Sequence, residues 1–335
     1  MFRRSFLLAL GLLMWTVGCG GSGPAGGGGG GPRTFETPAA LLAAAAPVWE
    51  PSGATEQVGS LTFKVPAGWQ EGANGGGAVM ESPPDKFGAT CIIAVEAPRP
   101  VATGEEARYA QALEAASALL VEPGDRLTDD FEGPDPLSRA SRGASGNGWD
   151  YRALTMRLIQ ADGSVYDVLS LVVRFGSQAV PVIAVEPMST LRCVSYDGEF
   201  GVDVANVLYS LDLGSPAYDH ALESSLIGEW FSSDGSAGNL YVFGANGHYI
   251  DASAVGGVVE VTPGEWRDRY ASWAGTGDWA AVGDTLAFFP TGGQPTGHFA
   301  TRFEVRDSSG VWRESLCWTD AYAGEPYMYC TRRQE

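Results

Sequence analysis

The order of hydrophobic and polar residues divides the chain into a first region with two periodicities and a second region with one. Between residues 56 and 214 several runs have the length and composition of strands. A helical stripe interrupts them, because Tyr109, Leu113, Ala116 and Leu120 recur at spacings of four, three and four. The clearest predicted strands are Val58 to Val65, Ala78 to Glu81, Ala89 to Glu96, Trp149 to Ile159, Val165 to Phe175 and Ala179 to Val185.

Two helices are predicted in this first region. Thr103 and Glu106 form a capping-box pattern at the start of the first helix, which Pro123-Gly124 would end. The second helix is predicted from about Glu199 to Leu211. Short links between consecutive strands favour antiparallel pairing, so we predict an α+β fold in which helices pack on an antiparallel sheet.

The second region, residues 219–335, has no convincing long helix and is punctuated by turn signals such as Asn246-Gly247, Gly256-Gly257 and Gly283-Asp284. The run from Phe299 to Arg306 alternates strictly, which predicts one buried face and one wet face. About eight or nine such strands predict an all-β up-and-down barrel or a sandwich.

The first residues have the pattern of an export signal. Two arginines precede a short apolar run from Phe6 to Val17, which is shorter than a membrane-spanning helix requires. The run ends in Thr16-Val17-Gly18-Cys19 and resembles a bacterial lipobox, although Thr16 stands where Leu is usual. The resemblance implies that residues 1–18 are a signal peptide and that lipid is attached to Cys19. The alternative is an ordinary secretory signal with an incidental cysteine.

A Gly- and Ala-rich segment follows the anchor. Residues 19–55 are predicted to be a tether, within which Pro38 to Pro47 could form a short helix. Gly20 is not the Asp that in some bacteria retains a lipoprotein at the inner membrane, so the resemblance indicates the outer membrane of a bacterial cell envelope. The membrane would then be a partner through the lipid alone.

Four further cysteines divide two and two between the regions. An even count fits disulfides in an oxidising envelope. If Asp320 lies opposite Tyr327 in a hairpin, Cys317 lies opposite Cys330 at a distance that a disulfide can span. Cys91 and Cys193 are the second candidate pair, and free buried thiols are the alternative.

The charge balance and the motifs argue against several functions. A net charge of −19 repels phosphate backbones, so nucleic-acid binding is disfavoured. The three histidines, His220, His248 and His298, have no partner at metal-ligand spacing, although a site across strands from the last two stays open. The acidic loop from Asp125 to Asp135 lacks the alternating ligands of a calcium loop. We therefore predict no metal, no cofactor and no catalytic residues.

Two resemblances to known families add expectations. The segment LTFKVPAGW, a central helix, paired long strands and a final helix ending LYSLDL resemble the PsbP-like α/β sandwich over residues 56–214. Gly228-Glu229-Trp230, YVFGANGHY and GDWAAVGDTLAFF resemble lipocalin-like domains over residues 219–335. The first resemblance implies docking or assembly. The second implies a barrel whose base is plugged by Trp230 and which can be filled or hollow.

Three functions follow from these patterns. The leading hypothesis is a membrane-anchored, non-catalytic binding or assembly module, which would have an envelope protein as a possible partner. The alternatives are a carrier of a small apolar ligand in the C-terminal barrel and a hydrolase whose site is not visible in the sequence. The ligand and the oligomeric state stay open.

Overall fold

The computed structural model describes residues 33–333 except 75, 86–87, 129–139, 146–147, 188–192, 195–199, 215–224, 234–236, 263–264, 307–309 and 323–324. In chain order its first elements are α1 (Pro38–Ala44), β1 (Ala46–Pro47), β2 (Thr55–Val58), β3 (Leu61–Lys64), β4 (Gln70–Asn74), β5 (Gly77–Glu81), β6 (Ile92–Glu96), β7 (Arg99–Pro100), α2 (Glu105–Leu120), β8 (Arg126–Thr128), β9 (Ala140–Ala144), β10 (Asp150–Ile159), β11 (Val165–Phe175), β12 (Gln178–Pro187) and α3 (Val202–Ser210). The remaining elements are β13 (Gly228–Ser233), β14 (Ala237–Phe243), β15 (His248–Thr262), β16 (Glu265–Val282), β17 (Thr285–Pro290), β18 (Thr296–Arg306), β19 (Trp312–Tyr322) and β20 (Glu325–Arg333).

The first half is built around an antiparallel sheet in the order β4–β5–β6–β12–β11–β10, and both β8 and β9 pair with β10. The long central strands are apolar on both faces because both faces are covered. Helix α2 covers one face through Tyr109 and three alanines. The other face packs against the β2–β3 hairpin, α3 and part of the second half.

The second half is a closed barrel of eight antiparallel strands. Strands β13 to β20 pair in sequence order, and β13 closes the ring by pairing with β20. Its inner side chains form one hydrophobic cluster with Trp230, Phe243, Trp279, Phe288 and Trp318. Interiors of barrels with about eight strands are narrow, so these aromatic rings occupy much of the cross-section.

Strand β9 joins the two halves. It pairs with β10 along one edge and with β18 along the other, where Gly143 lies opposite Phe303. Ser145, just after β9, donates a 2.5 Å hydrogen bond to Asp284 in the β16–β17 turn. The core of the first half also includes Phe303 and Cys317 from the outer face of the barrel. Part of the barrel wall is therefore internal to the molecule.

The predicted fold class is wrong in its first part. The described residues are mostly strands, with three helices of 7, 16 and 9 residues, and a helical layer is limited to the single helix α2 on one face of the sheet. The second face of the sheet is covered largely by the β2–β3 hairpin and the barrel wall, which are β structure. A pattern of apolar residues indicates that a face is buried, but it does not indicate which element covers that face.

Several local predictions differ from the structure. The run from Val58 to Val65 is a hairpin and not a single strand, because Gly59 turns the chain with a φ of +63°. Helix α2 begins after Gly104 without a side-chain cap, so Thr103 is not the N-cap, and Leu113 is exposed. Gly256-Gly257 lies within β15, where the register with β16 shifts.

The predicted wet face of β18 is found only in part. Ala300 and Thr301 point to opposite faces and both are fully buried, because one faces the barrel interior and the other the first half. Farther along the strand, Arg302, Glu304 and Arg306 on the predicted wet face are partly exposed.

Residues 33–49, within the predicted tether, lie on the outside of the barrel. Leu41 of α1 and the C-cap residue Ala45 pack on β16 and β17, and Phe35 stacks on Phe289 with 5.9 Å between ring centroids. Strand β1 pairs in parallel with β18. The predicted signal peptide and Cys19 lie outside the described residues. Within the described part of the chain, no helix is long and apolar enough to cross a membrane.

Candidate functional site

Trp230 closes the end of the barrel at which β13 begins and β20 ends, which we call the lower end. Its indole is fully buried, and its Nε1 donates a 2.7 Å hydrogen bond to the backbone oxygen of Leu226. The hydrogen-bond donor of the ring is therefore satisfied. The guanidinium of Arg333 lies over the ring, with its Cζ 5.1 Å from the centroid, and donates to the backbone oxygen of Ile227 at 2.6 Å. Arg333 and Arg302 both pair with Glu314.

Above this plug the interior is filled by aromatic contacts. Phe243 lies edge-on to Trp279 at 5.0 Å, and Tyr241 lies edge-on to Trp318 at the same distance. Phe288 contacts several of these rings, including Tyr249 at 5.0 Å. The lower and middle interior is thus a packed core, as the filled alternative requires.

The upper interior has a different chemistry. Tyr329 accepts a 2.9 Å hydrogen bond from Nδ2 of Asn239, and its hydroxyl also bonds with Ser232. Asp251 lies directly opposite Tyr241 in the register of β14 and β15, so its side chain shares the inner face. A polar end therefore lies on top of an aromatic core.

Asp251 is the unusual group in this upper interior. Its Oδ1 is buried and has no hydrogen-bond partner among the described residues. Burial raises the pKa of this carboxyl, and no basic side chain among the described residues offsets that effect. A carboxylate that is partly removed from water without a partner destabilises the fold, which is a frequent property of binding sites.

The strand facing Asp251 carries no side chain at the matching positions. Gly275 lies opposite Asp251 and Gly277 lies opposite Tyr249. A Cβ at Gly277 would come within 2.8 Å of the Tyr249 ring, whereas one at Gly275 would meet Asp251 alone, at 3.6 Å. Gly277 is required by close approach, and Gly275 presents no side chain to the carboxylate.

The neighbouring tyrosines remain neutral at physiological pH. Burial, followed by the negative charge of Asp251, raises the pKa of Tyr249, and burial is also the main cause of the raised pKa of Tyr329. At the rim, the hydroxyl of Tyr327 lies 3.4 Å from Asp320. The upper interior therefore offers two carboxylates and several neutral phenol rings, which we call the acidic mouth (Tyr241, Tyr249, Asp251, Asp320, Tyr327 and Tyr329).

The cysteines predicted to form disulfides lie together in pairs. Cys317 is opposite Cys330 in the predicted register, with Asp320 opposite Tyr327, and the two Cα atoms are 4.1 Å apart. Cys91 is joined to Cys193 with a Cα separation of 6.4 Å. Glu186 lies beside the second pair, but it accepts hydrogen bonds from the backbone N–H groups of residues 193 and 194. Since both sulfurs are bonded, this cluster is a structural support and not a metal centre.

The histidines do not form a joint site in the described chain. His248 lies on the outer face, with its Nδ1 2.6 Å from Asp278. His298 is buried, its Nδ1 is 2.7 Å from the backbone oxygen of Thr319, and burial lowers its pKa. His220 and most of the acidic loop lie outside the described residues. Asp125, which is described, accepts backbone hydrogen bonds from Glu122 and Ala161.

Sequence reasoning missed Asp251. The signal was present in the run His248-Tyr-Ile-Asp251, where strict alternation places the aspartate on the same face as the buried Tyr249. A charged residue at an inner position of a predicted strand needs a group that neutralises it, and the search for that group would have pointed to Asp251. Among known proteins, no family model and no curated protein matches this chain.

Proposed function

We propose that the chain is a lipid-anchored lipoprotein of the bacterial cell envelope that acts as a non-catalytic binding module. The acidic mouth would hold the cationic amine of a small organic ligand. The observation that carries the proposal is the buried, unpartnered Oδ1 of Asp251 among tyrosine rings. A positive charge would supply the missing partner, and aromatic faces attract organic cations.

The packed interior favours this ligand over a long apolar one. A fatty acyl chain needs a deep apolar channel, but Trp230, Trp279 and Trp318 already pack the middle and base of the barrel. The carboxylate of Asp251 lies beside Gly275, and its negative charge would repel the carboxylate of a fatty acid. A compact ammonium compound matches the negative charge of the mouth and does not need a deep channel.

Calorimetry with choline tests the binding site. We expect saturable binding of choline, and much weaker binding of 3,3-dimethyl-1-butanol, which has the same shape without the charge. Asp251→Asn should reduce choline affinity by about tenfold or more, since it removes one charged contact in a partly dry site. Asp162→Asn, in an exposed turn at the far end of β10, is the matched control and should bind as wild type.

Two results would count against the cation site. One is equal affinity for choline and its neutral analogue. The other is stoichiometric binding of a fluorescent fatty-acid analogue that changes Trp emission, which would establish the apolar carrier instead.

The anchor is tested separately at Cys19. The pattern Thr16-Val17-Gly18-Cys19 and the short apolar run before it support lipidation. In metabolic labelling with a radioactive fatty acid, wild type should be labelled and Cys19→Ser should not. Equal labelling of the two would remove the anchor from the proposal without affecting the binding site.

A further inference from the structure

A second pocket lies in the first half, far along the chain from the acidic mouth. It has a volume of about 400 Å³ and is lined by the segment Val101–Glu105 and by three arginines, Arg108, Arg152 and Arg174. The pocket lies at the start of α2, where the chain passes from β7 into the helix. Three converging guanidinium groups are unusual in a protein with a net charge of −19.

All three arginines share a single carboxylate. Arg108 and Arg174 each form an ion pair with Asp150, and Nη1 of Arg152 lies 3.7 Å from the same group. Glu105, at the edge of the pocket, lies 3.7 Å from Arg152 but is also engaged by Arg142 at 2.9 Å. The acidic groups therefore leave positive charge in excess.

Arg108 is an incompletely satisfied group. It is only 5% exposed, and its Nε has no hydrogen-bond partner among the described residues. Burial lowers the pKa of its guanidinium, and the Asp150 carboxylate raises it in part. A buried guanidinium with an unsatisfied donor, on a residue that lines a pocket, favours an anion in that pocket.

The N-terminus of α2 adds backbone N–H donors, which also favour an anion. Gly104 occupies the N-cap with a φ of +93°, and no side chain caps the first turn. The backbone N–H groups at the start of a 16-residue helix thus have no side-chain acceptor there, and the helix dipole favours an anion. A Cβ at Gly104 would meet no atom within 4 Å, so the helix end is open to the pocket.

We infer that this arginine pocket binds the phosphate group of a small soluble molecule. Guanidinium groups and a helix N-terminus are the two donor types that proteins use most for phosphate, and here they face one cavity. A phosphate dianion would balance the surplus positive charge of the three guanidinium groups. The volume leaves room for an organic group attached to the phosphate. This site is independent of the proposed amine site in the barrel.

Calorimetry with inorganic phosphate on the full folded chain tests the inference. We expect saturable binding that weakens with added sodium chloride, because charge–charge attraction is screened. Arg174→Gln should lower the affinity by about tenfold or more. Its side chain is 46% exposed, so its loss should leave the fold intact. Arg126→Gln, on the exposed β8 outside the pocket, makes the same change of charge and should bind phosphate as wild type.

Vesicles separate the two sources of phosphate. Free phosphate binding, together with equal retention of wild type and Arg174→Gln on phosphatidylglycerol vesicles, would assign the pocket to a soluble ligand. Retention that requires Arg174, without binding of free phosphate, would overturn that assignment in favour of a lipid headgroup. Equal phosphate affinity in wild type, Arg174→Gln and Arg126→Gln would overturn the site itself.

Discussion

At the scale of single residues, the charge of Asp251 is the source both of a cost in stability and of the proposed binding of a cation. Burial raises its pKa, so the folded state holds a proton more tightly than the unfolded state. Stability is therefore lost as pH rises from the ordinary aspartate pKa through the raised one. The charged form is the destabilising form.

The variant Asp251→Asn should consequently be more stable than wild type at pH 7. The gain should vanish near pH 3, where aspartate is protonated in both states. Urea unfolding at the two pH values measures it. In Asp162→Asn the sign should reverse at pH 7, because the backbone N–H of Ser164 lowers the pKa of that exposed carboxyl. A stability gain for Asp251→Asn that persists at pH 3 would contradict the electrostatic account.

Arg333 is the residue on which the barrel base depends. Arg333→Ala removes the bond to the backbone oxygen of Ile227 and the stacking on Trp230, and it leaves Glu314 with Arg302 alone. We expect the free energy of unfolding to fall by about 2 kcal/mol. The adjacent Arg332 is exposed, so Arg332→Ala should change it by less than about 0.5 kcal/mol. Equal urea midpoints for the two variants would show that the plug contributes little.

At the scale of secondary-structure elements, sequence patterns located what is locally determined. Strand β11 is found at the predicted residues, and the hairpin register at Cys317 and Cys330 follows from alternation. Strand β9 was missed because its sequence, ASRGA, has little strand propensity. It is extended because β10 and β18 provide hydrogen-bonding edges on both sides, and the partner residues on β18 lie about 160 positions further along the chain.

The same limit applies to the sites. Alternation could have placed Asp251 inside the barrel, but no pattern shows that it lacks a partner. The arginine pocket brings together Arg108 from a helix and Arg152 and Arg174 from two strands. Such convergence is set by the pairing of β10 with β11, where Asp150 lies opposite Arg174. Spacing along the chain does not contain this information.

The two disulfides should contribute unequally to stability. Each restricts the unfolded chain, and the restriction grows with the length of the closed loop. Cys317 and Cys330 are 13 positions apart, which corresponds to about 3 kcal/mol, and Cys91 and Cys193 are 102 apart, which corresponds to about 5 kcal/mol. Replacing each pair by alanine and measuring urea unfolding should give the larger loss for Cys91 and Cys193. The reverse order would show that native packing outweighs loop closure.

At the scale of the whole molecule, the shared strand joins the sheet and the barrel into one structure. Gly143 in β9 has Tyr151 so close that a Cβ would lie 2.5 Å from Cε1 of its ring. The outer barrel face contributes Phe303 and Cys317 to the core of the first half. A substitution that destabilises β9 should therefore destabilise both the sheet and the barrel.

Gly143→Ala tests this coupling. We expect a loss of about 1–3 kcal/mol from overpacking and a single unfolding transition that shifts as a whole. Circular dichroism at 222 nm and Trp fluorescence, which is dominated by the barrel, should give coincident midpoints. Gly72→Ala is the control, since a Cβ there meets only the backbone oxygen of Val79 at an ordinary 3.8 Å. Two separated transitions in either variant would show that the halves unfold independently.

The double pairing of β9 also has a consequence for the order in which the chain is made. Arg142 leaves the ribosome 162 residues before Glu304, its partner on β18. At translation rates of 5–20 residues per second this delay is roughly 10–30 s. Throughout it, one edge of β9 has unpaired backbone groups, which are open to pairing with other nascent chains. The newly made first half should therefore be prone to edge-to-edge pairing with other chains until the barrel covers β9.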